Sequence, residues 1–208
     1  MTPKGHSPVD LDPAAPATSR RGLIGALGAV GLAGAAALSI ARPASAAPTS
    51  PTDGDKESLR AAMQLELTAA ALYRAALDAG LADVAGELAA VFAENHTAYA
   101  DKIAGAAGFS ADTRNDEVFG LLEADFATND VDAFATAATG LENTAAATHT
   151  ALLAGYESVS ARKLTASIIV VEARMATVLT DLGGSASNLD DLFEPDADAL
   201  ELTAGATS

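Results

Sequence analysis

Three glutamates and one histidine, Glu66, His96, Glu142 and Glu172, fall one each near the middle of four long alanine-rich segments. Carboxylate oxygens and imidazole nitrogen are the donors that hold first-row metals such as iron or manganese. Gathered inside a protein without a cation, the same carboxylates repel one another, and an unpartnered one is costly or is driven to protonate. Three residues beyond His96 and Glu172, where further ligands would be sought, stand Tyr99 and Met175. A phenolate can bind iron, but a thioether is soft and mixes poorly with hard carboxylates. Core packing is the expected part for both, with the Tyr99 hydroxyl donating to a carboxylate.

The other histidines add little by spacing alone. His149 lies seven residues beyond Glu142 on the same helical face, about 10.5 Å along the axis. Metal bonds are about 2 Å long, so His149 is not expected to share a metal with Glu142. It is expected at the helix surface or the edge of the core. His6 belongs to the N-terminal leader and drops out.

Four helices must carry the quartet. The first is expected to begin close to Lys56, capped by Asp53 or Asp55, and to run to about Ala79 with Gly80 as its stop. Its apolar stripe is Leu59, Met63, Ala70, Tyr73 and Leu77, and Glu66 lies on it. The second restarts near Asp83, buries Val84, Leu88, Phe92, His96, Tyr99 and Ile103, and stops at Gly108, which makes a tight antiparallel hairpin. From Gly108 to Asn129 the chain is charged, with one short apolar helix expected over about Val118 to Phe126. The third helix starts after Asn129 or Asp130 and buries Val131, Phe134, Ala138, Ala145, Leu152 and Tyr156, with Glu142 on the same face. After a break over Glu157 to Ser160, the fourth turns Leu164, Ile168, Val171, Met175, Val178 and Leu182 inward, with Glu172 beside them and Gly183-Gly184 at its end.

Two hairpins joined by a long connection predict an all-α four-helix bundle with one crossover. A connection of about twenty residues at about 3.3 Å each can follow the length of such helices. Each quartet residue lies about eleven to thirteen residues into its helix, so all four are expected at one level whether a helix runs up or down. They should converge.

Thr18-Ser19-Arg20-Arg21-Gly22-Leu23-Ile24 opens an uncharged stretch from Gly22 to Ile40, followed by Arg42-Pro43-Ala44-Ser45-Ala46. Residues 1–46 therefore read as a twin-arginine signal peptide, cut after the small residues at its end. Retention as a membrane anchor is the alternative. A linker over 47–54, the bundle over 55–182 and an acidic tail over 183–208 complete the expected plan. With the signal removed, the protein is expected to leave the cytoplasmic membrane for the envelope space or the outside. No cysteine is present to form a disulfide or carry a lipid.

From Ala47 on, eight Lys/Arg face twenty-six Asp/Glu. That surplus repels nucleic-acid phosphates and anionic headgroups, which excludes those partners. No base follows Arg174, so the tail is read as a solvated acidic segment. No glycine-rich phosphate loop follows a strand, and no Ser/His/Asp set can be placed.

Leu65-Glu66-Leu67-Thr68, Glu94-Asn95-His96-Thr97-Ala98-Tyr99, Leu141-Glu142-Asn143-Thr144 and Val171-Glu172-Ala173-Arg174-Met175 together resemble the exported ferritin-like domain proteins, over about residues 55–200. In the dinuclear pattern of that fold, the first and third helices each supply a Glu, and the second and fourth each supply Glu-x-x-His. The resemblance implies that Glu66 and Glu142 match the single glutamates and Glu172 the fourth-helix glutamate. His96 then stands in a glutamate position, and Tyr99 and Met175 replace the two histidines. Two functions follow as expectations. One is a binding or structural bundle whose degenerate core holds no metal. The other is a metalloprotein, an iron or manganese oxidoreductase or a metal-sequestering protein, using Glu66, His96, Glu142 and Glu172. Pairing into a homo-oligomer is a further expectation from the resemblance.

Overall fold

The computed structural model describes residues 46–184 and 197–202. The expected signal segment, apart from Ala46, and most of the acidic tail lie outside the described residues. Among those described, five helices and no strand are formed: α1 (Asp53–Asp78), α2 (Asp83–Ala107), α3 (Asp116–Phe126), α4 (Val131–Gly155) and α5 (Val159–Leu182). None is long and apolar enough to cross a membrane.

Side-chain caps set most of the starts. Thr52 and Asp55 satisfy each other's backbone N–H groups in a reciprocal capping box, so α1 begins three residues before Lys56. Asn115, Asp130 and Ser158 accept from Val118, Ala133 and Ala161 and open α3, α4 and α5. Gly108, left-handed at φ 79°, closes α2, as its backbone can without strain. At the α1–α2 turn a side chain on Gly86 would bring its Cβ to 2.7 Å from the Leu81 carbonyl oxygen. That glycine is what lets the hairpin close so tightly.

The α1–α2 and α4–α5 pairs are antiparallel hairpins, and α3 lies in the crossover, against α1 and α4. Asp55, at the start of α1, accepts the N–H groups of Glu157 and Ser158 just past the end of α4. Hence α1 and α4 run in opposite directions, and the crossover returns the chain along the bundle. Val159 N–H donates to the Pro48 carbonyl at 2.8 Å, pinning the segment before α1 to the same turn. The expected all-α bundle with one long crossover is present.

Its interior divides into two apolar clusters. One is built on Leu72, Tyr73, Phe92, Phe126, Phe134 and Leu179. The other is built on Leu59, Met63, Ile103, Tyr156 and Ile168. Several expected core positions are not there: Val84, Val131 and Val178 are 64%, 38% and 43% exposed. On α2, Ala85, Ala89, Ala93, Ala100 and Ala104 take the inward face. Helices packed this closely leave room for a methyl group where a stripe drawn by hydrophobicity alone selects valine. Tyr156 is buried as expected, yet it caps α4 from outside the helix. Of the tail, residues 197–202 are described, and Leu200 N–H donates to Thr148 Oγ1 on α4 at 2.9 Å.

Candidate metal centre

All four residues of the quartet are wholly buried, and they meet between the two apolar clusters. His96 on α2 joins two of the carboxylates: Nδ1 is 2.7 Å from Glu66 Oε2, and Nε2 is 3.0 Å from Glu142 Oε1. One ligand atom each from Glu66, His96 and Glu172 lie within 4.8 Å of one another. The same-level expectation from helix counting agrees with this geometry.

Two more side chains complete the cluster. His149, expected at the surface or core edge, is wholly buried, with Nε2 at 2.8 Å from Glu66 Oε1 and 3.2 Å from Glu172 Oε1. Tyr73, expected only as part of an apolar stripe, donates its phenol hydrogen to Glu142 Oε1. The six form one chain of contacts: Tyr73, Glu142, His96, Glu66, His149, Glu172.

The lean of helical side chains explains why His149 arrives. Each Cα–Cβ bond tilts toward its own helix N-terminus. On antiparallel helices those tilts oppose, so His149 on α4 leans toward the level of Glu66, while Glu66 on α1 leans toward His149. The gap of about two helical turns closes from both sides. The same spacing of seven separates Glu66 from Tyr73 on α1 and Glu142 from His149 on α4, so the two helices pair Tyr73 with Glu142 and Glu66 with His149. The partners of His149 are on other helices, Glu66 on α1 and Glu172 on α5.

Charge follows these contacts. Burial pushes the Glu66 carboxyl up, but the hydrogen bonds and charges of His149 and His96 outweigh it and hold the group down to about 2. Burial works against charging either imidazole, yet Glu142 and Glu66 push His96 well up, and Glu172 and Glu66 push His149 to about 10. For Glu172 burial dominates and lifts the carboxyl to about 7, against the pull of His149. Burial, reinforced by Glu142, also keeps the Tyr73 phenol protonated.

Four buried polar atoms of the cluster have no hydrogen-bond partner among the described residues: Glu142 Oε2, His149 Nδ1 and both oxygens of Glu172. His149 thus touches Glu172 as an ion pair without a hydrogen bond. Buried polar atoms are seldom left this way. A donor set of three carboxylates and two imidazoles, with free lone pairs turned inward, suits a divalent first-row metal.

Residues 54–185 match the family model of the ferritin-like domain. The chain belongs to this ferritin-like family. Neither a comparison with curated proteins nor one with solved structures returned a match. Within this ferritin-like domain, the positions three residues beyond His96 and Glu172 behave as packing residues. Met175 is buried among apolar side chains of the larger cluster. Tyr99 is half-buried, its ring perpendicular to that of His96 with 6.4 Å between centroids, and among the described residues its hydroxyl donates to no carboxylate, contrary to expectation. The second imidazole comes instead from His149, seven residues along the third long helix. Sequence spacing held that signal, but only once opposing side-chain lean is taken into account.

Proposed function

We propose that this ferritin-like bundle binds a divalent first-row metal, iron or manganese, among Glu66, His96, His149 and Glu172. The observation that carries the reading is Glu172, a wholly buried carboxylate with neither oxygen hydrogen-bonded, set beside two imidazoles and a second carboxylate. The nearby His149 offsets the Glu172 charge, but the carboxylate's lone pairs are used by no hydrogen bond and are free for a metal ion. The metal-free expectation leaned on the missing histidines, and His149 supplies one.

When bound, the metal supplies redox chemistry toward oxygen or peroxide, or is simply held in store. The protein's own part is to present the donors, to shut bulk water out of a site whose residues have no exposed surface, and to fix the His96 ring by the contact of its Nε2 with Glu142 Oε1. The twin arginines at Arg20-Arg21 support export in a folded state, with the site already filled.

A metal-free ion-paired core is the second reading, favoured by His96, whose two ring nitrogens both rest on carboxylate oxygens. Elemental analysis of the natively purified, chelator-free protein separates the two, run beside a Glu66→Ala/Glu172→Ala variant. Stoichiometric iron or manganese that disappears in the variant supports the metal site. Metal-free, folded wild-type protein supports the ion-paired core and ends the first reading.

A further inference from the structure

The number of ions the core takes, and the part of Glu142 beside them, follow from where the donors lie. We infer that the bundle holds one ion per chain rather than two, ligated by Glu66, Glu172, His149 and Nδ1 of His96, with Glu142 orienting His96 and making no bond to the metal. This rests on the proposed metal-binding function.

The spacing of the donors fits a single ion. Neighbouring donors on one ion, with bonds of about 2.1 Å, stand about 3.0–3.4 Å apart as bond angles run from right-angled to tetrahedral, so contacts a few tenths of an ångström shorter need only a small spreading of the side chains. Glu66 Oε2 to His96 Nδ1 is 2.7 Å, Glu66 Oε1 to His149 Nε2 is 2.8 Å, and Glu172 Oε1 to His149 Nε2 is 3.2 Å. The donor atoms of Glu66, His96 and Glu172 lie within 4.8 Å of one another, and His149 Nε2 joins them through Glu66 Oε1 and Glu172 Oε1, so one cation among them can replace these contacts and use the free Glu172 oxygens.

Glu142 is placed differently. Its Oε1 is filled by two donors, the Tyr73 hydroxyl and the His96 ring nitrogen remote from Glu66. A metal-bound histidine characteristically donates its second ring N–H to a carboxylate, which fixes its tautomer and ring plane. Glu142 occupies that place for His96, and Tyr73 in turn holds Glu142.

Among the described residues, the surroundings supply no donor set for a second ion. The Tyr73 ring stacks on His96, 5.6 Å between centroids and 15° between planes. Phe92, Phe126 and Phe134 pack edge-on around Tyr73, and Met175 fills the same cluster. Only Glu142 Oε2 remains unpartnered on this side, and one oxygen does not make a site.

Native mass spectrometry of the full mature chain, stripped with chelator and reloaded with Mn(II), counts the ions. Electron paramagnetic resonance of the same sample separates an isolated Mn(II) from a coupled pair without any substitution. The expected result is one ion, an uncoupled spectrum, retention of the ion in Glu142→Gln with affinity weakened about 10–100-fold, and loss in His149→Ala and Glu172→Gln. Two ions, a coupled spectrum, or an ion retained at wild-type affinity without His149 would overturn the inference and leave metal binding standing. A folded wild-type protein that takes up no ion overturns both.

Discussion

Replacing Asp55 by asparagine tests the junction that holds the two hairpins in register. The carboxylate is 2% exposed, and it accepts Glu157 N–H at 2.7 Å on Oδ1 and the N–H groups of Thr52 and Ser158 at 3.0 Å on Oδ2. Hydrogen bonds to a charged acceptor contribute about 1.5–3 kcal/mol each. An amide keeps one acceptor oxygen and turns an NH₂ toward the donors on the other side, so at least one bond is lost and the others become neutral. The expected loss is about 3 kcal/mol. At about 2–4 °C per kcal/mol for a domain of this size, the thermal midpoint should fall by about 9 °C at pH 7.

The pH dependence follows from the same contacts. Burial alone would raise the Asp55 carboxyl, but the N–H groups of Thr52, Glu157 and Ser158 together hold it down from 3.8 to about 2. A folded value below the unfolded one means stabilisation that is full above pH about 4 and lost as pH falls through about 2. Thermal unfolding of wild type and Asp55→Asn, followed by circular dichroism from pH 7 down to pH 2, should show the gap between them narrowing below pH 4. A midpoint change under 3 °C at pH 7, or a gap that stays constant to pH 2, would refute the reasoning.

Three further outcomes are expected. In the chelator-treated protein at pH 8, Glu172→Gln should be as stable as wild type or more so, by about 1–3 kcal/mol in urea titration, because it removes a buried charge that accepts no hydrogen bond. Phe134→Ala should cost about 3–5 kcal/mol in the same titration, since that ring is wholly buried against both Tyr73 and Phe126. Gly86→Ala should lower the thermal midpoint by several degrees, about 1–3 kcal/mol of overpacking, as its methyl meets a backbone oxygen that has no rotamer to retreat into; an unchanged midpoint would show that the turn can open freely.

The bundle was legible because the alanine-rich segments are long and bounded by turn residues such as Gly80, Gly108, Asp130 and Gly183. Counting residues from those bounds sufficed to put Glu66, His96, Glu142 and Glu172 at one level. What escaped was direction. Axial rise measures where a Cα sits, and His149 reaches its partners through side chains that lean toward each other from antiparallel helices. Tyr73 was hidden for another reason: its ring fits an apolar stripe, and only the three-dimensional neighbour, Glu142, reveals its polar end. Val84, Val131 and Val178 point outward because alanine fills the seams between close helices.

The cluster draws Glu66 and His96 from one hairpin and Glu142, His149 and Glu172 from the other, while Asp55 clasps partners 102 and 103 residues away in the chain. Each hairpin can form from local contacts, which close fast, whereas the docking of the two is the long-range and therefore slow step. The centre consequently does not exist before docking, and it vanishes when the hairpins part. If the centre takes the proposed metal, amide exchange in α1 and α4 near Glu66 and His149 should slow as it is loaded, because parting of the hairpins would then also break the site.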